Sequence, residues 1–126
     1  MTTENIFGYH RQRSKGMAGE REVRSMLESH GIDYDWQDYE SQRYGGAKAD
    51  VVTDTHAIEV KRRGDGSFLT EWWTQAVAAA RHWGRMPAVA YRFDRRKWMV
   101  RTVLKAHNGK WVKGDLPLDE WLDAIA

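Results

Sequence analysis

Apolar residues recur along this chain in two rhythms, and the switches between them mark out the elements. Between residues 15 and 30, Met17, Val23, Met26 and Leu27 fall at helical intervals and form an apolar stripe, and Gly31 supplies a stop. Residues 34–39 (YDWQDY) alternate aromatic and polar side chains, as a strand does. The glycine-containing stretch SQRYGGAK, 41–48, predicts a loop. In KADVVTDTHAIEVKRR, 48–63, two short apolar runs flank a small polar turn, which predicts a β-hairpin. RGDGS follows as a loop, and Thr70 is a plausible N-cap for a helix to about residue 83, with Trp72, Trp73, Ala76, Val77, Ala80 and Trp83 facing the sheet. Gly84 and Pro87 should end that helix. AVAYRF (88–93) and KWMVRTVL (97–104) predict a second strand pair, and LDEWLDAIA a closing or partner-binding helix. The order helix, strands, helix, strands implies an α/β fold, a central sheet with helices packed on it. Residues 1–13 show no such stripe and are expected to be a flexible basic arm, with a single domain from 14 to 126.

The hairpin raises a chemical question. Side chains alternate faces along a strand, so Ile58 and Val60 share the core face while Glu59 and Lys61 share the other. A two-residue turn at Asp54-Thr55 matches 53 with 56, 52 with 57, 51 with 58, and so Asp50 with Glu59, at a Cβ separation of roughly 4.5–5.5 Å. Two facing carboxylates disfavour the strand pair unless something compensates. A divalent cation does so: Mg²⁺ binds through one or two carboxylates and takes other ligands from water and substrate phosphates. The Val60 carbonyl could add a ligand, and Lys61 could reach a nucleophilic water or a phosphate, which together make a phosphodiester-cleaving site. Glu20 borders the buried stripe of the first helix and could complete the metal site, whereas Glu22 falls toward solvent. The competing reading is plain: a surface salt-bridge ladder, with Glu20 a helix-dipole carboxylate.

Charge narrows the choice of partner. The net charge is only +2, but it is segregated. Basic residues cluster at 10–24, at 61–63 and at 92–101, and acids gather at 33–40 and in the tail. Such segregation suits a polyanion-binding face. A chain of 126 residues with 41% hydrophobic and 30% charged positions is an ordinary globular composition. No run approaches a membrane span and the polar N-terminus has no signal-peptide core, so a soluble, cytoplasmic protein with no membrane partner is expected. Absence of cysteine removes disulfides and thiolate metal sites. The five histidines show no ligand pairing, a nucleophile elbow is missing, and GGAK lacks the spacing of a phosphate loop.

KGMAGEREVRSMLESHG, then AD, then AIEVKRR, resembles the archaeal-type Holliday junction resolvases of the PD-(D/E)xK nuclease superfamily. The similarity spans roughly residues 11–103. It implies a restriction-endonuclease-like central mixed β-sheet flanked by helices, and a metal-dependent DNA endonuclease that resolves four-way junctions by paired nicks. Asp50 and Glu59 would then bind Mg²⁺ or Mn²⁺, Glu20 would assist metal or water placement, and Lys61 would stabilise the attacking hydroxide or the scissile phosphate. Ser41 stands near the family's loop serine, and Gln75 matches a polar position aimed at the site. Ala49 replaces the motif's proline, which loosens the strand entry without removing a ligand.

One site per subunit and two cuts per junction imply a C2 homodimer acting on branched DNA. Phosphate contacts are expected from Arg11, Arg13, Lys15, Arg21, Lys48, Arg62, Arg63, Arg95 and Arg96. Recombination, repair or processing of branched phage DNA would each suit such an enzyme. A flap, nicking or restriction-like endonuclease of the same superfamily and a non-catalytic nucleic-acid-binding module remain the alternatives.

Overall fold

A computed structural model describes residues 3–36 and 49–126, with side chains from Gly16 onward. The elements run α1 (Thr3–Ser29), β1 (Asp35–Trp36), β2 (Val51–Val52), β3 (His56–Arg63), α2 (Thr70–Trp83), β4 (Met86–Phe93), β5 (Met99–Lys105), β6 (Trp111–Pro117) and α3 (Leu118–Ile125). Six strands form one mixed sheet in the order β1-β2-β3-β4-β5-β6, antiparallel throughout except for the parallel pair β3–β4. α2 is the crossover that a parallel pair requires. Helices cover both sides, as the sequence pattern predicts.

The hairpin register is the one derived from a two-residue turn, with Val51 opposite Ile58 and Val52 opposite Ala57. Alternation along β3 then splits its side chains between two cores. Ile58 and Val60 pack with Val23 and Leu27 of α1 and with Leu118, Trp121 and Leu122 of α3. Ala57 packs on the opposite side with Ala49, Val52, Ala79 and Ala80, under α2. Small residues there let α2 lie close to β3, while Trp72 and Ala76 fill the space over Val89 and Tyr91. Leu69 is the N-cap of α2 and makes no side-chain cap, so Thr70 is its first helical residue rather than the cap. Gly84 ends α2 at φ 65°, and the Arg85 N–H closes on the Ala80 carbonyl at 2.9 Å, a left-handed helix stop. Pro87 lies inside β4, where it opens the strand instead of stopping the helix.

Three expectations change. Helical backbone begins at Thr3, so α1 runs through the segment expected to be a loose arm. That segment has no proline, and a docked helix propagates at little cost once nucleated. Within α1, Met17 is 57% exposed, and Gly19 takes its place in the buried stripe with Val23 and Leu27. The Arg62 stem and the Trp98 ring cross the helix there: a Cβ at Gly19 would stand 2.8 Å from Arg62 Cβ. A sixth strand, Trp111–Pro117, was not predicted.

Candidate functional site

The sheet is shortest at the edge where the predicted chemistry lies. β2 begins at Val51, so Asp50 is not a ladder residue. Its N–H donates to the Ile58 carbonyl at 3.1 Å, and its Oδ2 accepts the Val60 N–H at 2.7 Å. The expected flat pairing of Asp50 with Glu59 is therefore replaced by a strand end from which the Asp50 carboxylate caps β3. A strand residue presents its N–H and C=O at the same edge, so the Val60 carbonyl lies on the Asp50 side of β3.

Glu59, on the α2 side of β3, is buried with 6% exposure. Glu20 comes from α1, on the other side of the sheet. Asp50 stands within hydrogen-bonding reach of both, so the three carboxylates form a row with Asp50 in the middle. Burial and the Asp50 charge push Glu59 up to about 8 and Glu20 up to about 7. Without a counter-cation the row must hold protons that ordinary carboxylates release.

The positive partners are also in place. Lys61 lowers the cost of a charged Glu59, and its Nζ donates to Gln75 Oε1 at 3.2 Å. α2 thus delivers Gln75 to the strand lysine. The indole of Trp36 donates to Glu20 Oε2 at 3.3 Å, and the Arg24 guanidinium lies 4.1 Å from the Trp36 ring centroid. Trp36 and Arg24 were not singled out from the sequence, though the aromatic alternation around 36 and the basic cluster at 10–24 contain them. Five of the six predicted catalytic residues, Glu20, Asp50, Glu59, Lys61 and Gln75, converge. Ser41 and Lys48 lie outside the described residues, as do the side chains of Arg11, Arg13 and Lys15.

The remaining predicted basic residues divide. Arg95 (φ 64°) and Arg96 are exposed on the β4–β5 turn, at the end of the sheet where β3 and β4 finish. Arg63 points to the α2 side, 5.9 Å from the Trp72 ring centroid. Arg62 points the other way and is engaged internally, donating to Asp94 Oδ1 at 2.6 Å and to the Arg63 carbonyl at 2.8 Å. Arg21 lines an open hollow of about 520 Å³ where α1 meets the β4–β5 end of the sheet, with Arg92, Trp98 and Glu22. Glu22 is not a solvent residue: it accepts the Trp98 indole at 2.7 Å and Arg92 at 3.2 Å. It flanks the buried stripe on the side opposite Glu20.

All-oxygen donors of this kind suit a hard cation such as Mg²⁺ or Mn²⁺. Among the described residues no group of three His, Cys, Asp or Glu is arranged to hold a metal ion together, the row of Glu20, Asp50 and Glu59 included; an octahedral ion that keeps waters and a phosphate needs only one or two carboxylates. The residues present fit such an ion.

A family model described as "Phage putative PDDEXK endonuclease" matches residues 11–119. The chain belongs to this endonuclease family. Among solved structures, Archaeoglobus fulgidus Hjc, a Holliday junction resolvase from an archaeal hyperthermophile, is similar at a TM-score of 0.57 and 21% identity, over 80% of this chain and 93% of that one. That likeness establishes the restriction-endonuclease-like fold. No curated protein matches the chain in sequence. The matched region contains Glu20, Asp50, Glu59 and Lys61 together, and no helix among the described residues is long and apolar enough to cross a membrane.

Proposed function

We propose that the chain is a divalent-metal-dependent DNA endonuclease that resolves four-way junctions by paired symmetric nicks as a C2 homodimer. The observation that carries the chemistry is the carboxylate row beside a lysine held by Gln75. A salt-bridge ladder would place cations between these acids; here acid meets acid, an arrangement that stores a demand for a cation. Family membership supports endonuclease action, and the fold shared with an archaeal junction resolvase supports branched DNA as its substrate.

Asp50, Glu59 and the Val60 carbonyl would hold Mg²⁺ or Mn²⁺, with Glu20 at the far end of the row. Such an ion neutralises phosphate oxygens and lowers the pKa of water. The chain supplies the rest. Lys61 has three N–H donors; one is spent on Gln75, which leaves two to orient the attacking water and the scissile phosphate. Glu20, held by Trp36, is placed to position that water and accept its proton as it adds to phosphorus, and the sugar oxygen freed from the broken P–O ester bond takes a proton from solvent water. Arg63, Arg95 and Arg96 are positioned to meet phosphates near the Lys61 end, and Arg21, Lys48 and the basic residues early in α1 would extend that grip. Arg62 serves instead as a brace between Gly19 and Asp94. Recombination, repair or phage DNA processing would each use this reaction inside a cell.

The test uses end-labelled four-way junctions, flaps and linear duplexes of equal length with Mg²⁺. Symmetric nicks in opposed arms, coupled within one binding event, are expected. Cutting confined to flaps or linear DNA would keep the chemistry and remove the junction specificity.

A further inference from the structure

Among the described residues, a helix covers the α2 side of the sheet over only part of its width. α2 packs on β3 and β4, while α3 closes over β5 and β6 on the opposite side. Register and alternation place Arg101 and Lys105 of β5, and Asp115, Lys113 and Trp111 of β6, on the α2 side. Trp111 is 59% exposed. The Lys105 ammonium lies 6.0 Å from its ring centroid, and Lys113 lies 5.6 Å from the ring of Trp73 at the near edge of α2. The acid in this set, Asp115, is paired with the Arg101 guanidinium, which donates from Nε at 2.6 Å and Nη2 at 2.9 Å, and it accepts the Tyr91 hydroxyl at 2.6 Å. With Arg101 paired to Asp115, Lys105 and Lys113 remain as the charges of this face. The result is a positive face with aromatic planes set among its cations.

We propose that this β5–β6 face binds single-stranded DNA, with unpaired bases stacking on Trp111 and Trp73 and with Lys105 and Lys113 taking the phosphates. Two features choose this occupant. In a duplex the base faces are already stacked on each other, so an exposed indole can stack only on an unpaired base. A second copy of the chain docked face to face would set the cations of one face against the cations of the other, whereas a polyanion complements them.

Glu59, Val89, Arg101 and Asp115 are successive register partners across β3 to β6. The face therefore begins on the same side of the sheet as Glu59, roughly 10 Å away at β5, two strand spacings, and roughly 14 Å away at β6. As an addition to the nuclease reading, on which only this consequence rests, it makes DNA with an unpaired strand beside the branch the favoured substrate.

Fluorescence anisotropy with a labelled 15-nucleotide oligo-dT and a blunt duplex of equal length tests the assignment, in an Asp50→Asn background that prevents cutting. Trp111→Ala should weaken oligo-dT binding tenfold or more, a loss within the span of one stacked base. Trp111→Phe should keep most of the affinity, and duplex binding should change less than threefold. Equal oligo-dT affinity for the Ala variant and its parent overturns the proposal, as does an equal loss on oligo-dT and duplex. Conversion of a dimer to a monomer by Trp111→Ala, with oligo-dT affinity unchanged, overturns it in favour of a subunit interface. The two readings fail separately: Trp111-dependent oligo-dT binding in a protein that cuts no DNA would sink the nuclease and leave the platform standing.

Discussion

Asp50 does three things with one carboxylate: it caps the Val60 N–H, touches Glu59 and touches Glu20. Asparagine at this position keeps an acceptor for the Val60 N–H and removes one of three like charges. Asp50→Asn should therefore be at least as stable as the parent in a chelator, read as the midpoint of a urea titration. A core defect would instead lower that midpoint, by the 1–3 kcal/mol typical of an unsatisfied buried group. Gln75 acts on Lys61 rather than on substrate. Gln75→Ala should lower kcat about tenfold with KM little changed, because the loss falls on positioning in the transition state. An unchanged kcat would make the Lys61–Gln75 contact incidental. The sequence made the identity of these residues readable through their order and spacing, but not their geometry: Asp50 leaves the ladder and wraps its side chain onto β3, which strand alternation alone does not encode.

Among the elements, α2 and the hairpin were legible because a single local signal governs each. Helical spacing from Trp72 to Ala80 and the left-handed Gly84 fix α2, and a two-residue turn fixes the register of Val51 with Ile58. α1 was only half legible. Val23 and Leu27 carry the hydropathy signal of its buried face, but one turn earlier that face is continued by Gly19, which carries none, and the exposed Met17 does not belong to it. β6 was missed because Lys113, Gly114 and Asp115 interrupt its hydropathy; its alternation is real, but one side is the exposed charged face and the other carries Gly114. The Gly19 contact makes a quantitative expectation. A Cβ there must displace the Arg62 stem and crowd Trp98, so Gly19→Ala should destabilise by about 1–3 kcal/mol, despite the higher helix propensity of alanine. A gain in the denaturation midpoint would show that Arg62 moves aside freely.

Taken whole, the molecule joins its two cores at the start of β3. His56 is buried there, edge-on to Trp121 of α3 at 4.8 Å between ring centroids, with Nδ1 2.7 Å from the Thr55 hydroxyl. Burial pushes its pKa down to about 4. The unfolded chain binds a proton near pH 6.5 and the folded chain only near 4, so between those values the unfolded state holds more protons. His56 alone lowers stability by about 3 kcal/mol as pH drops from about 6.5 to 4, while the raised carboxyls of Glu59 and Glu20 raise it over the same range, so its share is read as a difference between parent and variant. His56→Gln should gain urea midpoint relative to the parent as pH falls from about 6.5 to 4, and a parent–variant difference that does not change with pH would show that His56 does not contribute there. The sequence marked His56 only as one of five scattered histidines; its burial depends on α3 closing over the sheet, a contact between elements far apart in the chain.

The proposed nuclease requires the acid row to be a place for a divalent cation in phosphodiester cleavage. The direct measurement is the single-turnover cleavage rate of a labelled branched DNA as Mg²⁺ or Mn²⁺ is titrated, for the parent, Asp50→Asn and Glu59→Gln. The parent should cut with a rate that saturates in metal and vanishes in EDTA, while both variants fall by at least about a hundredfold at every metal concentration. Cutting that persists in EDTA, or variants that cut like the parent, would contradict the assignment of the nuclease centre to this hairpin.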